Sequence, residues 1–153
     1  MFKRILVPID GSRTADLGLD HAIKLAKDQH ARLCLLHVVD ESVLTQNVEA
    51  GASLIDSLLE SLREGGRKIL DKAEAKVRKQ HLNSQSILVE NMLGSVADVI
   101  VGQAKKWRAQ LIVIGTHGRR GVSRMVLGSA AEGVVRSTPV PVLLVRAASR
   151  KGR

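Results

Sequence analysis

Aromatic residues are almost missing from this chain: Phe2 and Trp107 are the only two, and there is no tyrosine. The core must therefore be built from aliphatic side chains, and a ring platform for stacking single-stranded nucleic acid is excluded. Cysteine is as scarce. Cys34 stands alone, so no internal disulfide can form. Its place in the apolar run Leu33 to Leu36 predicts a buried, inert thiol. Long hydrophobic runs are lacking too. The opening MFKRILVPID holds five apolar residues in a row before Asp10, too few for the core of a signal peptide. No window approaches the ~20 apolar residues that span a bilayer. A reducing cytoplasm is the expected compartment.

Acidic residues are absent from the C-terminal end, where Arg146, Arg150, Lys151 and Arg153 supply four charges of a formal net +9. Arg119, Arg120 and Arg124 form a second basic group. A basic balance favours polyanionic or phosphorylated partners, although a solvated tail accounts for nearly half of the excess. At 153 residues the chain suits one domain, able to bury ~70% of the surface its unfolded form exposes.

What is present is a regular alternation of strand and helix patterns. Lys3 to Ile9 is a β-branched apolar run stopped by the turn Asp10-Gly11-Ser12. Ser12 is placed to cap a helix that has Asp16 in its first turn and Leu19, Ala22, Ile23 and Ala26 on one face. Ala31 to Val39 is a second strand, and residues 40–53 have no strong pattern. A helix follows with Leu54, Ile55, Leu58, Leu59 and Leu62 on one side. Gly65-Gly66 should kink or break it before Ile69, Leu70, Ala73 and Val77 resume the stripe. Gln85 to Glu90 is a third strand. Ser95 and Asp98 have capping-box spacing at the start of the next helix, near whose end Trp107 is expected to serve packing. Gln110 to Ile114 and Val140 to Val145 complete five strands.

Such alternation predicts an α/β sandwich with a five-stranded, mostly parallel sheet. The runs ILV, LIVI and VLLV are apolar on consecutive residues, as expected of strands covered on both faces. Right-handed crossovers favour the order 3-2-1-4-5, which opens a ligand crevice where the carboxyl ends of strands 1 and 4 diverge. Asp10 and Gly115 end those two strands. Prolines at 139 and 141 mark strand 5 as an edge. Its apolar residues Val142 to Val145 would be hazardous if exposed, and pairing with a second copy would cover them.

The segment GTHGRRGVSRMVLGS, Gly115 to Ser129, runs from the fourth strand toward a helix. It suits a plain turn, a phosphate cradle or a nucleic-acid surface. Gly115 and Gly118 lack a Cβ that would block an anion from backbone amides. Ser129 and Glu132 have capping-box spacing ahead of SAAEGVVR, whose first amides would favour an anion that Gly128 lets approach. The P-loop and the G-x-G-x-x-G fingerprint are both missing.

The spacing Gly115-x2-Gly118-x9-Gly128-Ser129 resembles the nucleotide-binding signature of the universal stress protein family, in its ATP-binding branch. KRILVPIDGS, HVVD, IGTHGRRG, LGSAAEGVVR and PVPVLLVR are similar to family segments along almost the whole chain. The resemblance implies a Rossmann-like αβα sandwich over residues 1–147 with a basic tail over 148–153. It also implies homodimers, ATP bound with Mg or Mn, and roles in stress survival and signalling. By the same resemblance Pro8 and Asp10 would border the adenosine, with Asp10 near the ribose and the metal, and Val38 would touch the adenine. Gly115, Thr116, His117, Gly118 and Arg119 would wrap ribose and phosphates. Gly128, Ser129 and Ala130 would receive the polyphosphate. His37 reads as a packed structural histidine, and Asp10 serves equally as a turn residue.

No activated nucleophile is evident, so ATP hydrolysis should be slow at most. Two other readings compete. An adenylating or sulfur-transfer enzyme on a related sheet would need the SGGxDS loop, and Asp10-Gly11-Ser12-Arg13 stands in its place. A nucleic-acid-binding module would rest on charge alone.

Overall fold

The computed structural model describes residues 1–45, 51–117 and 127–147. Its elements run β1 (Arg4–Pro8), α1 (Arg13–Gln29), β2 (Arg32–Asp40), α2 (Ser42–Thr45), α3 (Gly51–Arg78), β3 (Ser84–Asn91), α4 (Val96–Trp107), β4 (Leu111–Gly115), α5 (Ser129–Ser137) and β5 (Val142–Val145). The strands form one sheet in the order β3-β2-β1-β4-β5. All four pairings are parallel, so the expected order holds and the sheet is wholly rather than mostly parallel.

Alternation along each strand divides the core between two faces. Ile5, Val7, Leu33, Leu35, Leu111 and Val113 point toward α1 and α3, where Leu19, Ala22, Leu70 and Val77 meet them. Leu6, Cys34, Leu36, Ile112 and Ile114 point the other way, onto Ala97, Ile100 and Ala104 of α4 and Val134 of α5. Consecutive positions from Ile5 to Val7, Leu33 to His37 and Leu111 to Ile114 are thus buried, which is why these runs are largely apolar on consecutive residues. Cys34 lies inside the second layer, and burial pushes its thiol pKa up to about 12. It carries almost no thiolate at neutral pH and is chemically inert there. Trp107 packs against the same layer, and its indole N–H donates to Gln85 Oε1 at 3.2 Å.

The helix ends follow local rules. Ser12 Oγ caps α1 by accepting from the Ala15 amide at 3.2 Å. His30 closes the same helix in the left-handed region, with φ 53°. Ser95 Oγ accepts from the Asp98 amide at 3.1 Å and donates to Asp98 Oδ2 at 2.7 Å, opening α4.

Three expectations need correction. Gly65-Gly66 does not break a helix: α3 runs unbroken for 28 residues. Of the two, Gly66 serves close approach, whereas a Cβ on Gly65 would meet nothing within 4 Å. A Cβ on Gly66 would lie 2.6 Å from His37 Cδ2 and 2.9 Å from Leu88 Cδ1, so the missing side chain lets α3 settle onto the sheet. Second, the apolar stripe is not continuous in burial along α3, since Leu70, Ala73 and Val77 are buried but Leu54, Leu58 and Leu62 are exposed. Third, part of the patternless stretch is regular, with β2 reaching Asp40, α2 following and α3 starting at Gly51.

Arg63 of α3 grips Glu90 near the end of β3 with two hydrogen bonds, Nε at 2.5 Å and Nη2 at 2.9 Å. Arg63 holds the Glu90 carboxyl below its ordinary range. A carboxyl depressed in the folded state contributes stability above its unfolded pKa, and the contribution is lost as pH falls through the folded value. Arg63→Gln should therefore lower the urea midpoint slightly at neutral pH, with the difference from wild type closing below about pH 4. A gap that persisted at lower pH would mean that packing, not the ion pair, holds Arg63 in place. Among the described residues no helix is long and apolar enough to cross a membrane.

Candidate functional site

A cleft of about 730 Å³ opens at the carboxyl rim of the sheet, where β1 and β4 part. Its floor is the end of β1, Pro8 to Asp10, beside Leu36 to Asp40 of β2 and Ile114 to His117 at the end of β4. One wall is α3, through Ser61, Leu62, Gly65, Gly66 and Ile69. The other is α4 and α5, through Val96, Ile100 and Leu127 to Ala131. The topology dictates this position, since the chain leaves β1 toward one side and β4 toward the other.

The loop after β1 is held by hydrogen bonds on both sides. Asp10 Oδ1 accepts from the Ser12 amide at 2.8 Å, the turn role expected of it, while the residue also lines the cleft. The Thr14 hydroxyl donates to the His117 carbonyl, and Ser12 Oγ approaches the same oxygen at 3.5 Å. The first turn of α1 is thus fastened to the segment leaving β4. Gly115 makes that contact possible: a Cβ there would meet the Thr14 carbonyl carbon at 2.7 Å and the Ala15 amide nitrogen at 2.9 Å.

Beyond β4 the Thr116 amide donates to Val145 of β5 at 2.9 Å, and the Thr116 carbonyl accepts from the Gly128 amide at 2.7 Å. The Thr116 hydroxyl, buried, meets His117 Nδ1 at 2.8 Å and orients the ring. His37 is buried, and its Nδ1 bonds to the Ile9 carbonyl at 2.7 Å. It ties β2 to the end of β1, the structural role expected of it.

At α5 the capping expectation fails. Gly128, not Ser129, is the N-cap, and no side chain among the described residues caps the helix. Ser129 falls one position too late to form a capping box with Glu132, whose amide instead donates to the Gly128 carbonyl at 2.9 Å. The Gly128 amide is taken by Thr116. The amides that helix geometry leaves without an intrahelical carbonyl are therefore those of Ser129, Ala130 and Ala131, and all three residues line the cleft. They carry the partial positive charge of a helix N-terminus.

The structure thus brings Pro8, Asp10, Val38, Gly115, Thr116, His117, Gly128, Ser129 and Ala130 to one cleft. Gly118 and Arg119 lie outside the described residues, as do Arg120 and Arg124. Sequence reasoning missed the α3 wall, Asp40 and the Thr14 hydroxyl, and read Ser12 as the helix cap alone. The glycine pair at 65 and 66 was the available signal for the wall, because two adjacent glycines in a helix mark close approach as readily as a bend. Asp10 and Asp40 are the only carboxylates among the described lining residues, which include no lysine or arginine. No group of three or more His, Cys, Asp or Glu side chains able to hold a metal occurs among the described residues.

Comparison with known proteins gives this geometry a lineage. At 36% identity the chain is similar to Universal stress protein YxiE of Bacillus subtilis, with 95% of this chain and all of that protein aligned. Its fold superposes on the solved structure of MJ0577, a universal stress protein of Methanocaldococcus jannaschii, with TM-score 0.86 and 28% identity, covering 97% of this chain and 99% of that one. In fold alone, at 15% identity and TM-score 0.70, it is similar to a universal stress protein family protein from Arabidopsis thaliana solved with AMP bound, covering 99% of this chain and 95% of that one. The profile of the Universal stress protein family matches residues 1–146. With its wound parallel sheet and its cleft between β1 and β4, the chain belongs to the universal stress protein family.

Proposed function

We propose that the cleft binds ATP and that the protein is a nucleotide-dependent regulatory or stress-response protein. The observation that carries this reading is the uncapped start of α5, turned into a largely apolar cleft at the switch point of the sheet. One ligand suits both ends: an anionic tail for the amides of Ser129 to Ala131, and a flat apolar base for the end lined by Val38, Leu62 and Ile69. Asp10, between them, is an acceptor for ribose hydroxyls. The AMP held by the Arabidopsis protein of the same fold accords with this choice of ligand class.

A divalent cation fits only as a companion of the nucleotide. Asp10 and Asp40 offer too few oxygens for the six-coordinate shell of Mg, so the remaining ligands would come from phosphate and water. Its contribution would be to neutralise phosphate charge in a cleft with no described lysine or arginine. His117, oriented by Thr116, is placed to donate to a phosphate or ribose oxygen. No described nucleophile–base pair faces the α5 terminus, so slow hydrolysis at most is expected. Small molecules released from freshly purified protein should include an adenine nucleotide by mass spectrometry. Protein that purifies empty and takes up none at millimolar ATP would refute the proposal.

Dimerisation belongs to the same reading. Leu143 and Leu144 of the edge strand β5 and Val135 of α5 are exposed apolar residues, and a second copy paired along β5 would cover the strand with twofold symmetry. Sedimentation should show a dimer that Leu144→Lys disperses. A wild-type protein monomeric at high concentration would remove this part of the proposal.

A further inference from the structure

Charge is distributed unevenly along this basic chain. Residues 33–62 contain five acids and none of the 24 lysines and arginines, and residues 80–104 contain two acids and again no lysine or arginine. The fold sets Asp40, Glu41, Glu90 and Asp98 at one end of the molecule, where β2 and β3 finish and α4 begins. At ~1.5 Å per residue α3 is ~42 Å long, whereas the eight-residue strand β3 spans ~26 Å. Gly66 rests on His37 near the end of β2, and Arg63 pairs with Glu90 near the end of β3. The first twelve residues of α3, 51–62, therefore project past the carboxyl rim of the sheet.

That projection is amphipathic, and its apolar stripe is open to solvent. Leu54, Leu58 and Leu62 follow one another at i, i+4 and i+8 and are 51%, 39% and 37% exposed. Asp56 and Glu60 are its only charged residues. At the same end, the tip after β3 exposes Met92 (70%) and Leu93 (90%). Positive charge crowds the opposite part of α3, from Arg63 to Arg78. An apolar stripe flanked by acids, on a protein of net charge +9, is complementary to a basic amphipathic segment.

We propose that the projecting half of α3 is a docking surface for a basic amphipathic helix of a partner protein. Leucines of α3 would receive its apolar face and Asp56 its lysines or arginines, while Glu60, which pairs with Arg63 and Arg67 at 3.5 and 3.1 Å, would exchange those partners for the incoming cations. Ser61 and Leu62 also line the mouth of the cleft, so the docked helix would lie beside it. The proposal stands independently of the nucleotide reading.

The probe is a fluorescein-labelled peptide of ~18 residues, or five helical turns, with leucines at i and i+4 and lysines elsewhere. Fluorescence anisotropy with the full chain should show saturable binding that weakens with salt, and no binding of the same peptide with glutamates for lysines. The double change Leu54→Gln with Leu58→Gln preserves charge and helix propensity and should raise Kd by about tenfold or more. Asp56→Lys with Glu60→Lys should do the same and flatten the salt dependence. Circular dichroism establishes that each variant is folded, and the charge-reversed pair decides the matter if the glutamine pair is not. Equal binding of the acidic peptide, an unchanged Kd in the folded variants, or no saturable binding to wild type would overturn the proposal. So would a wild-type dimer dissociated by the glutamine pair, which would make the stripe a contact between copies of this chain.

Discussion

Replacing Gly115 by alanine should destabilise the protein by about 3 kcal/mol, the upper part of the range for overpacking a tight contact. An added Cβ would lie 2.7 Å from the Thr14 carbonyl carbon, 2.8 Å from its oxygen and 2.9 Å from the Ala15 nitrogen. All three are backbone atoms, so no rotamer change relieves the clash. The first turn of α1 would have to move away, yet Thr14 and Ser12 fasten it to the His117 carbonyl and Ser12 also caps it. For a domain of this size the cost corresponds to a fall in Tm of ~6–12 °C. The measurement separates two roles for this glycine. If Gly115 acted only by clearing space for a phosphate, the alanine variant would keep the stability of the ligand-free protein and lose affinity alone.

The second large effect is on affinity. Ala130 stands in the first turn of α5 and lines the cleft. Ala130→Glu places a carboxylate where the helix dipole welcomes one, so folding should be unharmed or slightly improved. The same charge would oppose a phosphate tail at the amides of Ser129 to Ala131. A loss of about 100-fold in ATP affinity is expected, equivalent to about 2.7 kcal/mol, against a much smaller loss for adenosine. An equal loss for both ligands would mean that bulk, not charge, is responsible. No loss for either would place the triphosphate elsewhere.

Much of the fold was legible because burial on both faces leaves a simple trace. Consecutive apolar runs such as Ile5 to Val7 and Leu111 to Ile114 mark central parallel strands, and Ser12 and Ser95 mark helix starts by hydroxyl chemistry that acts within three residues. The loops at Asp10 and Gly115 could be assigned to one crevice from strand order alone. What escaped was whatever depends on distance between elements. The pair Gly65-Gly66 looks like a helix breaker until β2 brings His37 against it. Leu54, Leu58 and Leu62 look like core until the length of α3 is set against that of β3. Ser129 has the right residue three positions on for a capping box, but the hydrogen bond from Gly128 to Thr116 sets the helix start one residue earlier. The clamp of Thr14 on His117 joins residues 103 apart in sequence, and nothing local announces it.

The nucleotide reading rests on a cleft that offers helix amides without intrahelical carbonyls at one end and an apolar wall at the other. Calorimetric titration of the purified protein with ATP, ADP, AMP and adenosine tests it most directly. Saturable binding is expected, with affinity rising as phosphates are added and with the Ala130→Glu change acting mainly on the phosphorylated ligands. No heat at millimolar ATP, or an affinity for adenosine equal to that for ATP, would contradict it.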